Sequence, residues 1–473
     1  MLHLLFLLLP TLALCQSPTP PNIVYILVDD LGYGDLSSYG QQHFSTPNID
    51  RLASEGMLFT DHYAGSTVCA PSRSALMTGQ HTGHTPVRGN KEHQPEGQWP
   101  LPDSTSTLAE MLRQAGYATG AFGKWGLGYP GSEGDPLRQG FDAFYGYNCQ
   151  RLAHHYYIDY LWHDTDTVQL PGNQGLGQET YAPELIQEQA LRFVSDHRDE
   201  PFFLYYAHVI PHAELLVPEP YLERFRGKFE PEFAYEGLDA PRRDTFEHWG
   251  YKRGAYASQP EGHAAFAGMV TYLDEQVGEL LDHLDSLGLA ENTLVVFTSD
   301  NGPHQEGGAD PDYFDSNGPL RGYKRDLYEG GIRVPMLLRW PGRVAAGSTT
   351  DHVSAFWDVL PTLAAVTGAE VPGATDGVSF LPTLTGEGEQ EQHDYLYWEF
   401  HERGGRQALR QGKWKLVRYD VGKEPQGDYE LYDLSTDIGE DNNLAAEHPE
   451  VVERLSALLE GARVPSETFT FTP

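Results

Sequence analysis

Three stretches of this chain are largely apolar runs, a fourth reads as a short strand, and each runs straight into polar residues. Residues 22–28 (NIVYILV), 118–122, 201–207 (PFFLYYA) and 292–298 (NTLVVFT) show no polar–apolar alternation. Such strands must be covered on both faces, which demands a parallel sheet between two layers of helices. Helical patterns fall between them. Residues 46–53 open with Thr46 or Asn48 near the cap, 106–117 are amphipathic and stopped by Gly116, and 263–287 carry apolar positions at spacings of three and four. Residues 215–260 are irregular and rich in Pro, Glu and aromatics, as expected of a surface insertion. Residues 336–340 return to strand and 356–363 read as a helix. The expected fold is α/β: a large, mostly parallel sheet flanked by helices. From about residue 391 the texture changes. Residues 395–400, 407–410, 414–417 and 431–434 alternate like antiparallel strands joined by Gly turns, and 448–459 close the chain as a helix. The expected division is a leader at 1–15, a catalytic domain at 16–390 and a smaller C-terminal α+β subdomain at 391–473.

Ligands of open parallel sheets sit beyond the carboxyl ends of the strands. The strands here end in Asp29-Asp30, Lys124, His208 with Pro211-His212, and Asp300-Asn301. Adjacent carboxylates past a buried strand repel each other, and a cation relieves them. Three acids and one amide oxygen form a hard, oxygen-only set that suits Ca²⁺ and disfavours zinc.

Cys69-Ala70-Pro71-Ser72-Arg73 continues to Thr78-Gly79. Pro71 fits a first helical turn, 72–77 run as a helix and Gly79 stops it, which places Cys69 at a helix N-terminus. Free N–H groups there favour an anion, and Arg73 one turn on adds a guanidinium that forks onto an oxyanion.

This run resembles the signature of the formylglycine-dependent (type I) sulfatases, arylsulfatase-like enzymes of the alkaline-phosphatase superfamily. Val28-Asp29-Asp30-Leu31-Gly32, Gly123-Lys124-Trp125, Pro211-His212 and the 318–335 segment with Lys324 resemble further motifs of that family, in its order. The resemblance implies that a maturation enzyme oxidises Cys69 to formylglycine (3-oxoalanine). One Ca²⁺ would be held by Asp29, Asp30, Asp300, Asn301 and the modified Cys69. The hydrated aldehyde would attack sulfur, His212 or Lys324 would protonate the leaving oxygen, and Arg73 and Lys124 would hold the developing charge. The chain departs from the family at Gly126, where a His is usual. The expectation is that His84, His208 or His304 replaces it; the competing expectation is that Gly126 widens the pocket.

With 68 acidic and 32 basic residues the formal net charge is −36. This argues against nucleic acid or an anionic membrane as partner and requires any anion site to be locally positive. Residues 2–15 are apolar, of signal-peptide length and too short to span a bilayer, so export is expected; lipidation of Cys15 is the alternative. No later segment reads as a membrane span. Without Cys15, Cys69 and Cys149 are too few for a disulfide framework. Aromatic and His-rich loops at 129–180, with Trp398-Glu399-Phe400-His401, suggest exo-acting hydrolysis of a sulfated saccharide, as in polysaccharide degradation. His304, Arg151, His154, Trp398 and His401 are the expected sugar contacts, and His81, His84, Arg88 and Asn90 possible pocket lining. Two rival readings compete: a phosphate or phosphonate monoester hydrolase of the same superfamily, and a non-catalytic sugar-binding protein if Cys69 stays a thiol.

Overall fold

The computed structural model describes residues 20–175, 177–237 and 256–471. The expected leader with Cys15 lies outside them, as do residues 238–255 of the 215–260 segment. No helix among the described residues is long and apolar enough to cross a membrane.

Ten strands form one mixed sheet among the described residues. Its centre is Asn22–Val28, paired in parallel with Phe202–Ala207 on one side and Thr293–Ser299 on the other. Ala118–Lys124 adds in parallel beyond Phe202–Ala207, and Met336–Arg339 adds on the other side antiparallel to Thr293–Ser299, with Met57–Phe59 and Ser348–Thr350 beyond it. Alternate residues of the central strand enter different cores, as the period of two requires. Val24, Ile26 and Val28 pack with Met269, Leu273, Val277 and Leu280 of the Gly262–Ser286 helix. Ile23, Tyr25 and Leu27 pack on the opposite face with Leu76, Met77, Leu108, Leu112 and Leu360. Both faces of the strand are therefore dry, which is why its sequence does not alternate.

The register makes the functional ends level. Val28 lies opposite Ser299, Leu27 opposite Ala207, and Gly123 opposite Ala207. Four neighbouring strands thus release their next residues at one edge of the sheet.

The 129–180 region departs from the loop expected for it. Ala143–Tyr147, Tyr160–His163 and Asp166–Gln169 extend the sheet. These strands are short, and their aromatic residues pair with polar neighbours, so neither periodicity nor length marks them. The helix expected at 356–363 is a 3₁₀ turn at Phe356–Asp358 followed by Val359–Thr367.

Leu396–Phe400, Arg406–Gln411, Trp414–Tyr419 and Tyr429–Asp433 form a separate antiparallel sheet, and Pro449–Gly461 packs on it. Lys415 of this sheet reaches buried Glu329 at 2.8 Å and Glu440 at 2.9 Å. The second sheet is thereby fixed to the segment that carries Lys324.

Candidate active site

Cys69–Thr78 is one helix, and all ten of its residues are buried. Its N-cap, Val68, offers no side-chain oxygen. The Ala70 N–H donates instead to Asn90 Oδ1 at 3.0 Å, and Pro71 brings no N–H to satisfy. Gly79, at φ 66°, ends the helix in the left-handed region. Cys69 therefore stands on the first turn, at the floor of a cleft of about 300 Å³.

Three carboxylates and three cations meet beneath it. Lys124 Nζ lies 2.6 Å from Asp29 Oδ2, Lys324 Nζ 2.7 Å from Asp30 Oδ2, and Arg73 Nη2 2.8 Å from Asp300 Oδ2. Asp30 adopts φ 65°; its N–H donates to Asp300 Oδ1, and its Oδ1 accepts from Asn301 Nδ2. Burial pushes the Asp29 and Asp30 carboxyls up, but the attached lysines outweigh it, and both end below the usual carboxylate range. Asp300 is raised to about 6, first by burial and then by the charge of Asp29, against the pull of Arg73. All three are ionised at neutral pH. Lys124 and Lys324 stay protonated: burial opposes their charge, and Asp29 and Asp30 restore it.

Asp29, Asp30, Cys69 and His212 bring ligand atoms within 4.8 Å of one another. Asn301 Oδ1 is buried and has no hydrogen-bond partner, although its Nδ2 is fully used. A buried acceptor without a donor is costly, and a cation is the partner that satisfies it without further rearrangement. The set around it is oxygen-rich, so the residues present fit a hard divalent cation.

His212 Nδ1 faces the Ala213 carbonyl at 2.5 Å, and a carbonyl only accepts, so Nδ1 carries the proton. Nε2 is then the acceptor, 2.9 Å from Lys324 Nζ and 3.3 Å from Asp30 Oδ2. Burial, followed by the charge of Lys324, holds the imidazole well below its ordinary pKa, so the ring is neutral. The His212 ring stacks between His154 at 4.2 Å and His304 at 5.5 Å. Burial drives the Cys69 thiol far above the usual thiol range even with Lys124 and Lys324 nearby. As an unmodified side chain it is a protonated thiol rather than a nucleophile.

Several expected positions lie elsewhere. Arg151 and His154 line the cleft, but Trp398, His401 and His304 do not. The Trp398 indole donates to the Ala64 carbonyl and packs on Tyr63 and Trp357 in a closed core. His401 turns its Nε2 to Glu399 at 3.0 Å and stacks on Phe471. His304 sits behind His212, with Nε2 3.1 Å from the Pro211 carbonyl. None of the three histidines expected to replace the family His lines the cleft: His84 pairs with Asp376 at 2.9 Å, and His208 faces Gln276 at 3.2 Å. Nor does Gly126 open space. It adopts φ 79°, and a Cβ there would lie 2.6 Å from Gln150 Nε2, so Gln150 fills the volume. Of the four polar residues 81, 84, 88 and 90, only Asn90 reaches the cleft.

The cleft also contains Arg325, next to Lys324 in the 318–335 segment, and residues to which the sequence drew no attention: Glu92, Gln98, Tyr256, Glu306, Glu402 and Arg403. They come from loops far apart in the chain, and no motif connects them.

Comparison with known proteins agrees with this geometry. The Sulfatase family model matches residues 21–369, and the model for the C-terminal part of N-sulphoglucosamine sulphohydrolase matches 322–464. The chain is 35% identical to arylsulfatase A of Homo sapiens over 93% of its own length and 87% of that protein. It is 30% identical to the N-acetylgalactosamine-6-O-sulfatase of Bacteroides thetaiotaomicron over 95% of its length and 94% of that protein. Among solved structures it resembles BT4656 in complex with its substrate D-glucosamine-2-N,6-O-disulfate, with TM-score 0.74 and 25% identity over 94% of this chain and 97% of that one. With the family model spanning most of the chain and the site at the strand ends, this protein belongs to the sulfatase family and is a sulfuric ester hydrolase.

Proposed function

We propose that the protein is an exported carbohydrate sulfatase that hydrolyses a sulfate monoester on a saccharide, with formylglycine at position 69 and one Ca²⁺ beside it. The observation that carries this reading is the position of Cys69 on the cleft floor. It stands on the first turn of a buried helix, within 4.8 Å of Asp29, Asp30 and His212, yet its thiol is held protonated. A side chain so placed and so unreactive makes sense as the precursor of another group.

Asp29, Asp30, Asp300 and Asn301 would hold the cation, which supplies Lewis-acid polarisation of sulfate oxygens when bound. Formylglycine supplies a hydrated aldehyde, an oxygen nucleophile that the thiol is not. The chain's own residues do the rest. The three carboxylates balance Arg73, Lys124 and Lys324, so the excess positive charge a divalent cation would bring is offset in part by the monoanionic sulfate ester that enters beside it. Lys124, bound to Asp29, and Arg73, bound to Asp300 and the Lys124 carbonyl, would place their positive charge beneath the sulfate oxygens on which charge develops. Lys324 holds a proton shared with His212 Nε2, and the pair presents it to the departing alcohol oxygen, a contribution of about 10²–10⁴-fold. The relatives named for sulfated sugars, together with the Arg, His and amide side chains around the cleft, favour a saccharide as the alcohol.

The test is sulfate release from defined sulfated mono- and disaccharides, using protein made with a maturation system and assayed with Ca²⁺. Turnover of at least one sulfated sugar, with no comparable turnover of the matching phosphate ester, is expected. Phosphate ester hydrolysis at equal or higher kcat/KM would overturn the reading.

A further inference from the structure

Seven described residues other than glycine have positive φ, and four of them are aspartates, which tolerate that region. Two are arginines, Arg325 at φ 80° and Arg403 at φ 55°, and both line the cleft. Arginine gains nothing locally from a left-handed backbone, so the surrounding structure must impose it. For Arg325 the Thr67 carbonyl accepts its N–H at 3.0 Å, and Arg406 donates to its carbonyl. For Arg403 the turn is pinned on both sides: Gly405 N–H donates to Glu402 O, Val421 N–H to Gly405 O and Gly422 N–H to Gly404 O. This hairpin turn belongs to the second sheet, which delivers a cation to the mouth of a cleft built by the first.

The charges around the mouth are unevenly committed. Arg151 pairs with Glu92 at 2.9 Å and Arg325 with Glu306 at 2.6 Å. Arg403 is exposed and makes no hydrogen bond or ion pair among the described residues. Burial, then the charges of Arg325 and Arg406, disfavour its guanidinium; Asp326 and Glu402 offset this in part. A strained arginine without a partner among the described residues, beside like charges and in a chain of net charge −36, is a place where an anion lowers the energy.

We infer that Arg403, with Arg325 behind it, forms an anion subsite at the cleft mouth for a second negative group of the saccharide, a carboxylate or a further sulfate on the sugar unit next to the scissile ester. The subsite rests on the proposed saccharide sulfatase activity. It makes the preferred substrate a polyanionic oligosaccharide rather than a singly charged sugar. A guanidinium offers a planar fork of N–H donors that a carboxylate or a sulfate accepts.

The experiment compares kcat/KM for three disaccharides that share the scissile sulfate: one with a neutral neighbouring sugar, one with a uronate neighbour and one with a second sulfate. Wild type should prefer one of the dianionic substrates over the neutral one by about tenfold, the effect of one half-exposed charge-assisted pair. Which of the two is preferred identifies the source of the charge. Arg403→Gly should remove the preference mainly through KM, and its salt dependence with it. Glycine suits φ 55°, so the Tm of this variant should not fall, which separates lost selectivity from a damaged fold. Wild type without a charge preference, or a variant that retains it, overturns the subsite. If mature wild type releases no sulfate from any of the three, the sulfatase reading on these sugars fails instead.

Discussion

At the residue scale the chemistry depends on which side chains carry protons. Lys324 is charged, and His212 is neutral with its free nitrogen turned to the lysine. If the pair protonates the leaving oxygen, Lys324→Ala and His212→Gln should each lower kcat by about 10²–10⁴-fold on an alkyl sugar sulfate. The loss should be much smaller on an aryl sulfate with an acidic phenol, because that leaving group needs no proton. A loss equal on both substrates would assign the two residues to binding. Peptide mass spectrometry should find formylglycine at position 69, and Cys69→Ala should abolish turnover with an unchanged Tm. The Cys-x-Pro-Ser-Arg run was legible because its parts are adjacent in sequence. The meeting of Glu306, Arg325 and Arg403 was not, because it happens only when separate loops fold over the sheet edge.

At the element scale, caps arrive from elsewhere in the chain. Thr46 makes no side-chain cap for the Pro47–Glu55 helix. Asp274 of the Gly262–Ser286 helix does so instead, accepting from the Asn48 N–H at 3.0 Å and the Ile49 N–H at 2.8 Å. Asp274→Ala should cost about 1–2 kcal/mol, the upper range for a lost cap, measurable by urea denaturation. A second distant contact gives a pH signature. His393 Nε2 lies 2.7 Å from buried Asp358. Burial lowers the imidazole pKa, but Asp358 more than reverses this, and it ends above its ordinary 6.5. A folded-state pKa above the unfolded one gives stability that is fully present below 6.5 and lost as pH rises through the raised value. Tm of wild type minus Tm of His393→Gln should therefore be largest in mild acid and shrink towards alkaline pH; a difference that grows with pH would refute the pairing.

For the whole molecule, two buried ionic clusters join its parts. The first is the cation site. Chelation should leave Asn301 Oδ1 unsatisfied and the carboxylates with Arg73, Lys124 and Lys324 as their only counter-charges, lowering Tm as well as activity. Ca²⁺ should restore both, and Zn²⁺ should not. Full activity and unchanged Tm after exhaustive chelation would remove the metal from the proposal. The second is Lys415 between Glu329 and Glu440, the tie between the two sheets. Lys415→Met would leave buried Glu440 without its lysine and Glu329 with Arg333 as its remaining ion-pair partner, and should cost about 3–5 kcal/mol at neutral pH. Part of that should return in acid, since Glu440 is already raised to about 7, by burial first.

The sequence by itself determined the central strands, the residues at their ends and the helix that carries Cys69. These depend on local information: an apolar run buried on both faces, a proline and a glycine at helix ends, and polar residues just past a strand. The tertiary structure decided everything that depends on register and on distant loops. It levelled four strand ends so that Asp29, Lys124, His212 and Asp300 meet, and it closed Trp398 and His401 into the core. It also set Gln150 in the space beside Gly126 and brought Arg403 from the second sheet to the mouth of a cleft in the first. Residue type along a segment settles which faces are dry, whereas the packing of whole elements settles which side chains meet across a cleft.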